Sequence, residues 1–438
     1  MKRVTAGMLT LLLVLAALAS AGLVLAGCGS SSAGSSSTPS SSPTGVVHIT
    51  MWHGDLDYAA KADNALVAEW NKANPNIEVT AVYNGGNDFA LQKTLTAIAG
   101  GKYPDITYIF GSWAANIVKS PKVVTLNDLI AKDKSFDWND FWPAERLAAT
   151  VNGKIVGVPA LVDNLAIVYN KKLFDQAGLS YPTAQWTWDD LRAAAKKLTD
   201  PAKKQFGWAY PADASEDTVW HWEAMLWDYG GDILTPDNKQ ATFNSPQGVQ
   251  ALTMLGDMAT VDKSVYVDTT NTKIQSTFNN GHIGMLVTGP WDLPGFPDVS
   301  FGVQVMPANH QTISGPDNWV LLDNGPERVN AAWQFIKWFT DAKQQMYYDQ
   351  QTGALPIRQS QQQQPDFKAY LGKYPGTDVF VANMGNATKA RPTIPQYSKI
   401  SGFMGTAIVS VLLGKSDAKT ALDQAAQQTN AVLAVPGQ

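Results

Sequence analysis

The stretch VVHITMWHGDLDYAAKADNALVAEWNKANPNIEVTAVYNGGNDFALQKTLTAIAGGKYPDITYIF, Val46 to Phe110, decides the fold class. Val46 to Trp52 has the apolar, β-branched content of a strand. From Tyr58 to Asn74 the period changes: Ala62, Leu66, Val67 and Trp70 share one helical face. Asn74-Pro75 ends that helix, because proline lacks an N–H and restricts the residue before it. Ile77 to Tyr83 predicts a second strand, Phe89 to Ala99 a helix closed by Gly100-Gly101, and Asp105 to Phe110 a third strand. This alternation is that of parallel βαβ units. The fold class is therefore α/β, with ligand contacts expected at the carboxyl ends of the strands.

Upstream, Lys2 and Arg3 precede an apolar run from about Gly7 to Ala26, which ends in Leu25-Ala26-Gly27-Cys28. Small residues before a cysteine fit a lipoprotein signal peptidase site, and the thiol would carry the diacylglyceryl group. Residues 1–27 thus read as a signal peptide and Cys28, the single cysteine, as the lipidated mature terminus. An uncleaved anchor is the alternative, since the run approaches the roughly 20 residues that span a bilayer. Residues 28–45, almost wholly Ser, Gly, Thr and Pro, form a tether with nothing to bury. The expectation is an extracytoplasmic protein that meets the cell membrane only through its lipid, with no disulfide.

Downstream, the roughly 390 residues after the tether exceed a single core, so two lobes are expected. A hydrophobic content of 45% with 16% charged residues fits a folded globule, and the formal net charge of −5 argues against nucleic acid or anionic membrane as main partner. Lys154 to Pro159 and Leu165 to Tyr169 read as strands flanking Ala160–Asn164, a candidate crossing between lobes. Thr187 is the expected N-cap of a helix from Trp188 to Leu198. Further helices are expected over Thr218–Tyr229, Ser245–Ala259 and Glu327–Thr340, and in the C-terminal region from about Gly405 to Leu433. Strands are expected at Ile283–Val287, Phe301–Val305 and Trp319–Leu322. The glutamine-rich patch Gln359–Gln364 reads as an exposed link.

Aromatic residues carry the functional signal. Several of the 15 tryptophans sit beside polar residues at expected strand ends or helix starts: Trp52-His53, Trp220-His221-Trp222-Glu223, Trp291-Asp292 and Asn318-Trp319. Flat rings beside hydroxyl partners suit sugars, whose C–H faces stack on indole while carboxylates fix the hydroxyls. Core packing is the plain alternative for each ring, and a solvated surface charge for each carboxylate.

With Ile49-Thr50-Met51-Trp52-His53, Asn74-Pro75-Asn76-Ile77, Gly157-Val158-Pro159, Tyr169-Asn170-Lys171-Lys172-Leu173-Phe174, Trp186-Thr187-Trp188, Asn280-Gly281-His282-Ile283-Gly284-Met285, Gly289-Pro290-Trp291 and Thr352-Gly353-Ala354-Leu355-Pro356 in this order, the chain resembles the family 1 extracellular solute-binding proteins of ABC importers, the group that includes maltose-binding protein. The resemblance implies a two-lobed periplasmic-binding-protein-like fold of class II, lobes joined by hinge crossings. Lobe 1 would be 46–159 and 312–359, lobe 2 164–306 and 365–438, with crossings near 160–164, 307–312 and 360–365. It also implies that Trp52 and His53 face the cleft, that Asp163 accepts sugar hydroxyls, that Trp220 and Trp291 stack on sugar, and that Arg391 borders the cleft. Trp222 and Glu223 share the Trp220 helix start, and only one of its two rings can face the ligand. Asp88, Trp113, Asp292 and Asp317 complete the candidates. Ser401 stands where the maltose binder carries an aromatic platform.

The function so implied is capture of a mono- or oligosaccharide for delivery to the transmembrane subunits of an ABC permease, by a monomer without cofactor or metal. The five histidines are scattered, and neither a Gly-x-Ser-x-Gly elbow nor a Walker loop occurs. The alternatives are a secreted glycoside hydrolase, using Asp163 and Glu223, and a binder of a polyol phosphate such as glycerol-3-phosphate, whose binders share the Trp-His start.

Overall fold

A computed structural model describes residues 45–435; the signal run, Cys28 and the tether as far as residue 44 lie outside the described residues. The opening alternation is present as read. Strand β1 (Val47–His53), helix Asp57–Ala73, β2 (Ile77–Tyr83), helix Ala90–Ala99 and β3 (Ile106–Phe110) follow one another, and β1 pairs in parallel with both β2 and β3. A small hairpin, β4 (Thr150–Val151) and β5 (Lys154–Ile155), precedes β6 (Val158–Leu161). The single strand expected at Lys154–Pro159 is thus two, separated at Val156-Gly157. A Cβ at Gly157 would fall 2.8 Å from that of Asn318, so only glycine lets the chain pass there.

The chain continues through β7 (Ala166–Asn170), β8 (Phe206–Pro211), β9 (Val265–Asp268), β10 (Ile283–Thr288), β11 (Phe301–Gln304) and β12 (Asp317–Leu321). Two five-stranded sheets result, in the orders β2-β1-β3-β12-β6 and β11-β7-β10-β8-β9. In each, one strand opposes the rest: β12 runs antiparallel to β3 and β6, and β7 antiparallel to β10 and β11. The chain leaves the first sheet after β6 and returns to it only with β12.

Helices pack on both sheets. Helix Trp188–Leu198 starts where expected, at Thr187, in a capping box with Asp190 that satisfies two otherwise orphaned backbone N–H groups. Thr187→Ala should lower stability by about 1 kcal/mol, read as a shifted denaturation midpoint; no shift would mean that neighbouring packing holds this end. The C-terminal region folds as two helices, Tyr397–Leu412 and Ala418–Leu433, with Gly414 at φ +66° between them. The glutamine patch is exposed only in part, at Gln359, Gln362 and Gln363. It forms a 3-10 turn, Gln359–Gln363, in which Gln361 is fully buried and donates to Asp349 Oδ2 at 2.6 Å, because Asp349 needs a donor inside the core.

Helix Glu216–Asp228 is the element that most shapes the interior. Among its residues only Asp217 is not buried, so it is covered on all sides and carries Glu216, Trp220 and Glu223 inward with its apolar residues. No helix among the described residues is long and apolar enough to cross a membrane.

Candidate functional site

The carboxyl ends of the parallel strands of both sheets supply the site. From the first sheet come His53 and Asp55 after β1, the Gly111–Trp113 turn after β3, and Asp163 after β6. Asp317, which opens the antiparallel β12, lies in register with Phe110 and Leu161. From the second sheet come Glu216 and Trp220 after β8, and Gly289-Pro290-Trp291 after β10. Contacts run across: the Tyr58 hydroxyl donates to the Trp291 carbonyl, and Asn116 Nδ2 donates to the Pro395 carbonyl at 2.6 Å.

At the centre, Arg391 Nη1 donates to Glu216 Oε1 at 2.9 Å, and its guanidinium carbon lies 4.6 Å from the Trp220 ring centroid. Tyr397 donates to Glu216 Oε1 at 3.0 Å and lies 2.8 Å from Glu223 Oε1, while the Ser401 hydroxyl donates to Glu216 Oε2. Trp291 meets Trp220 edge to face, with ring centroids 6.2 Å apart. Gly315, two residues before β12, closes on the same place. A Cβ there would fall 1.8 Å from Trp220 Cη2 and 2.3 Å from Asp163 Oδ1, so backbone, ring and carboxylate meet only because the residue is glycine.

The structure thus gathers Asp163, Trp220, Trp291 and Arg391, with Asp317 electrostatically joined to them through Arg391. Asp163 Oδ1 and Arg391 Nη2 are buried and without hydrogen-bond partners, which leaves polar atoms available inside the site. Trp220 has one face covered by Arg391, whereas Trp291 is half-buried, so Trp291 carries the freer ring. Its ring does not project from the Gly-Pro turn: a Cβ on Gly289 would strike Trp291 Cζ3 at 1.7 Å, so the indole folds back over the turn onto Trp220.

Other candidates are placed differently. Trp222 has no exposed surface and is a core residue, since it shares its helix with Trp220 but faces the opposite side. Glu223, equally buried, is bonded by Tyr397 and stands behind Glu216 as part of its network, without exposed surface to offer a ligand. Asp292 is consumed internally: Thr288 donates to one oxygen at 2.6 Å and Gln275 to the other, so it offers no acceptor beside Trp291. Trp113 packs on Phe110 in a small cluster with Leu91 and Ile117. Trp52 is half-buried on the β1 face opposite Met51 and joins none of the aromatic pairs. Asp88 faces Asp217, Asp213 and Glu216 of the second sheet's loops; burial first and these like charges next push its carboxyl up to about 8.

Glu216, Tyr108, Glu145 and Tyr397 were not anticipated. The Tyr108 hydroxyl donates to Asp317 Oδ2, and the Gly111 N–H to Oδ1 at 3.3 Å. Glu145 is buried with both oxygens unpartnered, and a cavity of about 400 Å³ lined by Trp142, Pro143, Ser314, Val381 and Met384 opens beside it. His53 lies buried, its Nδ1 3.6 Å from Asp63 Oδ2, and with Asp55 these residues place one ligand-type atom each within 4.8 Å of one another. The sequence reading expected no such metal-compatible group, because Asp63 is brought to it by the helix rather than by a close motif.

Burial raises several of these carboxyls. Asp317 is pushed up to about 7 and Asp292 to about 6, chiefly by desolvation, which the Arg391 charge and the Thr288 hydrogen bond only partly offset, respectively. Both folded values lie above that of an unfolded aspartate, so the native state holds protons that the unfolded chain releases. Stability is then fully present at low pH and is lost as pH rises from about 4 to about 7. The melting temperature should be higher at pH 5 than at pH 8, and Asp317→Asn should flatten the difference; a melting temperature that climbs over that interval contradicts the assignment.

A family model described as bacterial extracellular solute-binding protein matches residues 54–346. An ABC substrate-binding protein of Listeria monocytogenes, solved in complex with cycloalternan, is 27% identical with a TM-score of 0.79, over 89% of this chain and 99% of that one. A cyclic alpha-maltosyl-1,6-maltose binding protein of Arthrobacter globiformis is 28% identical with a TM-score of 0.71, again over 89% of this chain and 99% of that one. These neighbours share the two-lobed α/β fold. Among curated relatives, the sn-glycerol-3-phosphate-binding periplasmic protein of Salmonella paratyphi A is 24% identical over 416 residues, 89% of this chain and 93% of that protein.

Proposed function

The chain belongs to the bacterial extracellular solute-binding protein family, and on that premise we propose that it captures a carbohydrate between its two lobes and delivers it to the transmembrane subunits of an ABC importer. It does so as a monomer held to the membrane by a lipid on Cys28, and it binds its ligand without transforming it. The observation that carries the reading is the meeting of Trp220 with Asp163 at Gly315, with Trp291 set against Trp220: flat apolar rings next to an unpartnered carboxylate oxygen match the two surfaces of a sugar. Micromolar affinity corresponds to about −8 kcal/mol, within reach of one stacking ring and a few charge-assisted hydrogen bonds.

The glycerol-3-phosphate binder among the relatives raises a second reading. Charge disfavours it here. Arg391 already pairs with Glu216 and is hemmed in by Asp163, Asp317 and Glu223, so a phosphate would meet more carboxylates than cations. A thermal-shift screen over mono-, di- and oligosaccharides, polyols and glycerol-3-phosphate separates the two. A specific sugar should raise the melting temperature with ln(1 + [L]/Kd), whereas a response to the phosphate alone would replace the carbohydrate reading, and sustained release of reducing ends would replace binding by hydrolysis.

A further inference from the structure

His53 and Asp55 come to the site from the end of β1, and with Asp63 they form a group that, among the described residues, no hydrogen bond joins to Trp220, Trp291, Asp163 or Arg391. His53 ends β1, Asp55 follows two residues later, and Asp63 comes back from the second turn of helix Asp57–Ala73. His53 is 3% exposed and Asp63 0%. Neither oxygen of Asp63 has a hydrogen-bond donor, and His53 Nδ1, aimed at it from 3.6 Å, has no partner either. A carboxylate buried in this way costs several kcal/mol unless something positive neutralises it. Among the described residues, Asn87 Nδ2, 3.3 Å from Asp55 Oδ1, is the only donor side chain bonded to the group, and it serves the one member that solvent already reaches.

We propose that His53, Asp55 and Asp63 bind one divalent first-row transition cation of the Zn2+ type. One imidazole and two carboxylates, with ligand atoms within 4.8 Å of one another, can close around a single ion at the roughly 2.0–2.2 Å bond lengths of zinc and leave a fourth position open. The imidazole selects against Ca2+ and Mg2+, which take oxygen ligands. The partly exposed Asp55 gives the ion its way in. The proposal stands independently of the carbohydrate reading, since it is tested with metal alone.

Protein stripped with EDTA and loaded with Zn2+ should retain one equivalent through gel filtration, measured by plasma mass spectrometry, and melt at higher temperature, whereas Ca2+ should leave melting unchanged. His53→Gln and Asp55→Asn should each weaken Zn2+ binding at least about tenfold; both variants are to be confirmed as folded by circular dichroism. Asp55, being half-exposed, provides the variant least dependent on core packing. Failure of the wild-type protein to retain Zn2+, or retention unchanged in both variants, overturns the proposal and leaves a proton shared by the two carboxyls as the neutralising charge.

Discussion

Glu216→Ala should destabilise the protein by about 3–5 kcal/mol, the range for removing one partner of a buried ion pair. The carboxylate is nearly inaccessible and accepts from Arg391, Tyr397 and Ser401 at once. Its loss leaves the Arg391 guanidinium buried beside Trp220 with no direct counter-charge and the Ser401 hydroxyl without an acceptor, while Tyr397 keeps Glu223. The cost arises from the stranded charge more than from the pair itself. Adding Arg391→Met should therefore recover part of the loss, because a buried pair replaced by apolar groups is often near neutral. Urea denaturation of the two variants decides the matter: a single-variant loss below about 1 kcal/mol, or a double variant worse than the single, would show that the network is not what holds helix Glu216–Asp228 to the C-terminal helices.

The second large effect is on binding. Trp291→Ala should weaken carbohydrate affinity by about 2–4 kcal/mol, roughly 30- to 1,000-fold, while the unliganded melting temperature changes by only a few degrees. Trp291 is half-buried, with its ring edge on Trp220 and its plane over Gly289, so truncation opens a wall of the site more than it voids the core. Trp220→Ala is the informative contrast. That ring is 9% exposed and lies under Arg391, so its loss should cost stability as well as affinity. Calorimetric titration with the sugar found by screening reads both, and unchanged affinity per folded Trp291→Ala molecule would make Trp291 a packing residue.

The elements that the sequence made legible are those set by local periodicity and local chemistry. The strand–helix alternation over Val46–Phe110 follows from a change of hydrophobic period, and the start of helix Trp188–Leu198 follows from one threonine and one aspartate three residues on. The tryptophans were legible as a set but not individually. Trp220 and Trp222 differ by two positions on one helix, which places them on different faces, and nothing local says which face the Arg391 segment will cover. Glu216 was hidden for a different reason. A glutamate in the first helical turn after Ser215 reads as ordinary complement to the helix dipole, and its true partner lies 175 residues away. Asp292 shows the converse: it sits beside Trp291, yet Gln275 and Thr288 claim its oxygens. Long-range partners decide between acceptor and brace, and they leave no trace in spacing.

The position of β12 has a consequence for how the protein is made. It lies between β3 and β6, pairing with both, although every strand of the second sheet precedes it in the chain. During synthesis the first sheet therefore has a gap between β3 and β6 until residue 321 has emerged, and β6 has no neighbour to hold it. The opening segment cannot complete its own core ahead of the rest. Such non-local closure favours slow folding, and it leaves the early chain without a finished core until late in its synthesis.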